Sequence, residues 1–137
     1  GGYLDTLDEI DLILNDVSED HVGLCFDTGH AYYAGIDPVQ GIRKYASRID
    51  YVHFKDVDQS VFDVVIHENI GFYEACFRRL MCPLGEGALD YSAIKKALTE
   101  INYHGWITLE QDRHPSDTGN VRDCINQSVA YLQKLGF

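Results

Sequence analysis

The sequence has 137 residues, 45% of them hydrophobic and 24% charged, which is typical of a single folded unit over residues 1–137. It carries 22 acidic and 11 basic side chains, giving a formal net charge of −11. So acidic a surface repels phosphate backbones and argues against general nucleic-acid binding. No stretch approaches the roughly 20 apolar residues that cross a bilayer, and no signal peptide opens the sequence, so we expect no membrane partner.

The number and spacing of the cysteines indicate free, reduced thiols and not a metal site. The four positions are Cys25, Cys76, Cys82 and Cys124, and none forms a Cys-x-x-Cys pair, which argues against a structural zinc site. Cys25 lies in an apolar run and Cys124 on an apolar helical stripe, so both are predicted to be small buried residues. Such thiols are typical of a cytoplasmic protein.

The first half of the chain alternates helix and strand signals. Thr6 and Glu9 form a capping box, and apolar residues then recur at helical spacing. Pro38 suits the first position of a helix whose apolar face is predicted to run on to Ile49. The predicted elements are a helix over 7–17, a strand over 21–26, a helix beginning at Asp37-Pro38 and a strand over 50–55.

The second half begins with an ambiguous segment. Within residues 58–84, the stretch VFDVVI fits either a strand or a helix, and the helical pattern after it contains Gly71. The remaining predicted elements are a helix capped by Asp90, a strand over 105–110 and a helix over 118–135 that Gly136 ends. Helices that alternate with short apolar strands indicate an α/β fold of parallel β/α units.

All three predicted strands end in polar residues. Asp27 and His30 follow the first strand, His53, Lys55 and Asp56 the second, and Glu110 the third. In a β/α barrel the carboxyl ends of the strands surround the active site, so Asp27, His53 and Glu110 are expected to converge. Two carboxylates and one imidazole suit Mn²⁺, Mg²⁺ or Co²⁺. Taken singly, Asp27 also fits a turn former, His53 a hydrogen-bonded core histidine, and Glu110 a residue next to a helix N-cap.

The alternation of side chains along each strand supports this convergence. If the three candidates face one side of the sheet, the aliphatic residues face the covering helices. The residues that then share the candidates' side are Cys25, Tyr51, Trp106 and Thr108.

Three blocks of sequence resemble a known family. They are VGLCFDTGHAYYAGIDP, RKYASRIDYVHFKDV and PLGEGALDYSAIKKALTEINYHGWITLEQD. They resemble the C-terminal portion of the xylose-isomerase-like barrel family of sugar isomerases and epimerases, and within it look most like the inosose dehydratases of inositol catabolism. The resemblance covers nearly the whole chain, is weakest over 58–75, and implies the last three β/α units of a TIM barrel.

The resemblance also implies roles. Asp27, His53 and Glu110 would bind a divalent metal, with Mn²⁺ or Co²⁺ favoured over Mg²⁺ or Zn²⁺, and Glu110 would double as the catalytic acid/base. The residues that would face a sugar or cyclitol substrate are His30, Lys55 and Glu86. In this family a carboxylate moves a proton at the carbon next to a carbonyl, which leaves dehydration, isomerisation and epimerisation open.

The chain departs from this family in its strand count. A TIM barrel has eight strands, whereas three are predicted here. The family's fourth metal ligand, a glutamate on an earlier strand, has no counterpart, and Asp5 is a poor substitute. We therefore expect either a missing N-terminal barrel half or an oligomer that completes the barrel.

Several other functions stay open on the sequence. Within the same fold these are hydroxypyruvate isomerase, a ketose 3-epimerase and an apurinic endonuclease, the last disfavoured by the charge of −11. A non-catalytic barrel remnant is the alternative from another class.

Overall fold

The computed structural model describes residues 6–137, so Asp5 lies outside the described residues. In chain order the helices and strands are α1 (Leu7–Asp16), β1 (Leu24–Asp27), α2 (Thr28–Tyr33), α3 (Pro38–Lys44), β2 (Ile49–Phe54), β3 (Asp56–Val57), α4 (Gln59–His67), α5 (Phe72–Phe77), β4 (Met81–Cys82), α6 (Tyr91–Glu100), β5 (Trp106–Leu109) and α7 (Val121–Leu135). Within this part of the chain no helix is both long and apolar enough to cross a bilayer.

Three of the strands form a parallel sheet in the order β1, β2, β5. The register pairs Asp27 with His53 and His53 with Thr108, so the ends of the three strands lie level. This arrangement confirms the prediction of parallel β/α units from a TIM barrel, and the sheet is an open part of a barrel rather than a closed one. The chain also contains a short antiparallel pair, β3 with β4, that the sequence analysis missed.

The hydrophobic core lies between the helix-covered face of the sheet and the helices. Phe26, Val52 and Phe54 point from the strands into this core and are buried. The Phe54 ring packs edge-on against Tyr91 and Phe137, with centroid separations of 5.0 and 5.3 Å. Burial of these side chains supplies the main favourable term for holding the helices on the sheet.

The opposite face of the sheet is open, and we call it the inner face. Trp106 is 80% exposed there, and Cys25 is exposed as well. The prediction that Cys25 is buried is therefore wrong, because no described segment of the chain covers this face. Cys124 is only half-buried, which corrects the second cysteine prediction.

Local hydrogen bonds explain where the elements begin and end. The capping box of Thr6 and Glu9 is present, and Asp37 and Asp90 cap α3 and α6 as predicted. Gly136 ends α7 in the left-handed conformation, with φ 79°, as a glycine at that position favours. These confirmed features all depend on contacts between residues close in sequence.

Other boundaries differ from the predictions. Strand β1 begins at Leu24 rather than residue 21, because the amides of His21 and Val22 both donate to Ser18 O in a turn. Helix α3 ends at Lys44, and Ile49 begins β2 instead of extending the helix face.

The ambiguous segment and the last helix are also settled. VFDVVI is helical, because Asp58 Oδ1 accepts from the amides of Ser60 and Val61 and so begins α4. Helix α7 begins at Val121, three residues later than predicted, where Asn120 is its N-cap.

Candidate active site

Side chains from the ends of three neighbouring strands meet at the carboxyl edge of the sheet. Asp27, His53 and Glu110 each offer one ligand atom, and these atoms lie within 4.8 Å of one another. His53 Nδ1 is 3.2 Å from Glu110 Oε1 and 3.6 Å from Asp27 Oδ2. The amide of Glu110 donates to Phe54 O at 3.0 Å, which continues the β2–β5 ladder and holds Glu110 beside His53. The structure thus brings together the three residues that the sequence singled out.

The two carboxylate oxygens of Asp27 have different surroundings. Oδ1 accepts from the His30 amide at 2.8 Å and so caps α2. Oδ2 is buried and accepts no hydrogen bond of good geometry, although Lys55 Nζ lies 3.1 Å away. A buried anionic oxygen without a hydrogen bond is costly unless a cation satisfies it. With the imidazole and the second carboxylate, this donor set fits a divalent cation.

Lys55 lies within the same cluster and is only 1% exposed. Its Nζ is 2.7 Å from Asp112 Oδ2, 2.9 Å from Glu110 Oε2 and 3.1 Å from Asp27 Oδ2. Burial by itself would lower the pKa of Lys55. The hydrogen bond to Asp112 and the charge of Asp27 outweigh that effect and raise the pKa of Lys55, so its side chain is an ammonium.

Asp112 and His30 complete the cluster around Lys55. His30 Nε2 is 3.0 Å from Lys55 Nζ and 3.4 Å from Asp112 Oδ2, and the Phe72 ring lies 5.2 Å from the imidazole. The hydrogen bond with His30 and then that with Lys55 lower the pKa of Asp112 to about 2, against the effect of burial. Asp112 was not predicted from the sequence. It lies two residues after Glu110, and residues two apart in an extended chain share a side, which is the signal that could have identified it.

The dipeptide between Asp27 and His30 fixes how closely the start of α2 approaches Lys55, the residue after β2. Thr28 Oγ1 accepts from the Lys55 amide at 3.0 Å and lies 3.1 Å from Tyr91 Oη. A Cβ on Gly29 would come within 2.8 Å of the Lys55 side chain, so the close approach requires glycine. The Asp-Thr-Gly-His segment therefore places two site residues and makes room for a third.

Glu86 lies in an exposed loop, and its described hydrogen bond is to α7 and not to the cluster at the strand ends. Its carboxylate accepts a hydrogen bond from Gln127 of α7. Substrate contact by Glu86 therefore stays a prediction.

The loop that carries Glu86 is held by Asp56, which the sequence placed among the polar strand ends. Asp56 is fully buried and accepts from the amides of Gly85, Gly87 and Leu89 at 2.9, 3.2 and 3.1 Å. Burial raises the pKa of Asp56 against the effect of these hydrogen bonds. The role of Asp56 is structural.

Parallel strands that gather two carboxylates, an imidazole and a buried lysine at their carboxyl ends form the active-site side of a β/α barrel. The sequence profile of the family described as xylose isomerase-like TIM barrel matches residues 1–135, and the chain belongs to that family. This confirms the resemblance found in the sequence.

Curated relatives agree with this family. The inosose dehydratase of Geobacillus kaustophilus is 39% identical over 116 residues, which are 85% of this chain and 38% of that protein. The inosose dehydratase of Clostridium beijerinckii is 34% identical over 137 residues, which are 100% of this chain and 46% of that protein. The chain therefore spans less than half the length of these relatives.

Solved structures share the fold. The probable 3-DHS dehydratase AsbF of Bacillus anthracis, involved in petrobactin synthesis, superposes with a TM-score of 0.73 at 23% identity, over 97% of this chain and 46% of that one. The IOLI protein with a binding zinc atom gives a TM-score of 0.69 at 20% identity, over 96% and 43%. At these identities the likeness establishes the architecture alone.

Proposed function

We propose that the chain is the C-terminal part of a divalent-metal-dependent enzyme that dehydrates an inosose in cytoplasmic inositol catabolism. The observation that carries this proposal is the meeting of Asp27, His53 and Glu110 at the strand ends, with ligand atoms within 4.8 Å of one another. The curated relatives at 39% and 34% identity, both named inosose dehydratase, support this choice of substrate class.

In this proposal Asp27, His53 and Glu110 hold the metal. A divalent cation supplies Lewis-acid polarisation of the substrate carbonyl when it is bound. Two carboxylates and one imidazole suit Mn²⁺, Mg²⁺ or Co²⁺, and the family resemblance favours Mn²⁺ or Co²⁺ among these ions. Because the related IOLI structure contains a zinc atom, Zn²⁺ belongs in any test of metal preference.

Glu110 is the group that takes the proton from the carbon next to the carbonyl. Its Oε2 lies 2.9 Å from Lys55 Nζ, and a carboxylate in this position can act as a general base. Its side chain is 33% exposed and so is open to a substrate. The hydroxyl on the next carbon then leaves as a C=C bond forms, and it takes up the proton that Glu110 accepted and departs as water.

His30 and Lys55 are proposed to contact substrate oxygens, and His30 is the more accessible of the two because the Lys55 side chain is only 1% exposed. The His30 side chain is 46% exposed, while its Nε2 is held by Lys55 Nζ at 3.0 Å. A ring nitrogen fixed by one partner leaves the other nitrogen oriented for a substrate hydroxyl.

The proposal requires a completed barrel. The exposed Trp106 and Cys25 of the inner face need further strands to enclose a substrate. Those strands would come from preceding residues or from another polypeptide, and they would supply the remaining metal ligand.

The test is turnover of 2-keto-myo-inositol by the complete barrel, with loss of water followed by mass spectrometry. Activity is expected to disappear after chelation and to return with Mn²⁺ or Co²⁺. Glu110→Gln should lower kcat by about 10²–10⁴-fold, since it removes the general base. The matched control is Glu19→Gln, at an exposed carboxylate, which should leave kcat unchanged. Turnover that survives chelation, or equal rates in the two variants, would contradict the proposal.

A further inference from the structure

The Lys55 ammonium is shared among three carboxylates. One oxygen each from Asp27, Glu110 and Asp112 lies within 3.1 Å of Nζ, and His30 Nε2 lies 3.0 Å away. Two of the three carboxylates, those of Asp27 and Glu110, are also proposed metal ligands. Asp112 does not belong to the described group that could hold a metal.

A divalent cation held by Asp27, His53 and Glu110 would therefore compete with Lys55 for the same two carboxylates. Asp27 Oδ2 lies 3.6 Å from His53 Nδ1 and 3.1 Å from Lys55 Nζ, so one oxygen faces both the imidazole and the ammonium. Asp27 and Glu110 would then neutralise less of the Lys55 charge, and the cation would repel the ammonium. At 1% exposure, Lys55 has almost no water to replace those partners.

Asp112 is the carboxylate that stays available. Its Oδ2 makes the shortest of the three ion pairs, at 2.7 Å. Its neighbours along the chain are anchored independently of the metal cluster, because Gln111 Nε2 donates to Met81 O at 2.8 Å and Arg113 pairs with Asp117 at 2.7 Å. The backbone on both sides of Asp112 is thus held by contacts that a bound cation does not disturb.

We propose that Asp112 is a positioning residue that retains the Lys55 ammonium and so leaves Asp27 and Glu110 free for a divalent cation. The inference rests on the metal site of the proposed function. It adds that Asp112 acts on the metal through Lys55 and not directly. Without Asp112, the ammonium stays on the two ligand carboxylates and opposes the cation.

The test is a double-mutant cycle read by calorimetric titration with Mn²⁺ alone, on the complete barrel. Asp112→Asn should weaken Mn²⁺ binding by about 10–100-fold, the usual cost of losing a supporting partner at a metal site. Lys55→Met removes the competing charge and should strengthen binding. In the Lys55→Met background, Asp112→Asn should change the affinity less than about 3-fold, because the group through which it acts is gone.

Controls separate this role from general effects of charge or loop order. Asp112→Glu should recover most of the parent affinity. Asp117→Asn removes another carboxylate from the same loop, one that is paired with Arg113, and should leave the Mn²⁺ affinity unchanged. Should Lys55→Met fail to fold, Lys55→Gln removes the charge and retains an N–H donor for Asp112.

Each result of these titrations either supports or overturns the proposed role of Asp112. An equal loss of affinity from Asp112→Asn in both backgrounds means that Asp112 acts directly through its charge, and it overturns the inference. An equal loss in Asp117→Asn overturns it as well. If the parent binds no Mn²⁺, the metal site and the inference fall together. Mn²⁺ binding with the expected coupling but no turnover of the inosose leaves the inference standing and removes only the proposed reaction.

Discussion

The two faces of the same three strands differ sharply in their surroundings. On the helix-covered face, Phe26, Val52 and Phe54 are buried against the helices. On the inner face, Trp106 is 80% exposed, and the ionisable cluster lies at the carboxyl end. The described residues thus bury one face and leave the other open. The hydrophobic core lies on the first face, and the ionisable cluster lies at the edge of the second.

The largest effect on the free energy of unfolding is expected from a substitution on the helix-covered face. Phe54→Ala should lower the free energy of unfolding by about 3–5 kcal/mol, because it removes a fully buried ring and leaves a cavity beside Tyr91 and Phe137. Urea denaturation of the parent and the variant measures the difference. A loss below about 1 kcal/mol would mean that this face does not carry the stability of the chain.

An intermediate effect on stability is expected at Gly29, which lies beside the ionisable cluster. Gly29→Ala places a Cβ within 2.8 Å of the Lys55 side chain and should cost about 1–3 kcal/mol through overpacking. Gly71→Ala is the matched control, because no atom lies within 4 Å of its added Cβ. The two variants are compared by denaturation in urea. Equal stability in both would refute the close approach of α2 to Lys55.

The smallest effect is expected on the inner face. Trp106→Ala should change the stability of this chain alone by less than about 0.5 kcal/mol, as is usual for an exposed side chain. The barrel resemblance predicts a cost of about 3–5 kcal/mol once the same ring is enclosed. Measuring the variant with and without the rest of the barrel sharpens the comparison. A large cost in the chain alone would show that the inner face is covered after all.

Sequence reasoning succeeded where the determining contacts are local or periodic. The capping box at Thr6 and Glu9 depends on residues three apart, and the structure contains it. The alternation along the strands placed Asp27, His53 and Glu110 on one side, and the parallel register then brought them together. Neither step requires knowledge of distant packing.

Sequence reasoning failed where the determining contact is distant. Asp112 pairs with Lys55 across 57 positions, and its place two residues after Glu110 does not by itself identify Lys55 as its partner. Helix α2 has six residues and begins at Thr28, directly after β1, so it was not recognised as a separate element. Cys25 was assigned to the correct side of its strand, yet its burial depends on what covers that side.

The most direct test of the central claim is anomalous X-ray scattering from crystals of the complete barrel grown with Mn²⁺. The account predicts one strong manganese peak bonded to Asp27, His53 and Glu110, which disappears in Asp27→Asn although the Asn still caps α2. A peak at other side chains, or density in which these three groups share no ion, would contradict it.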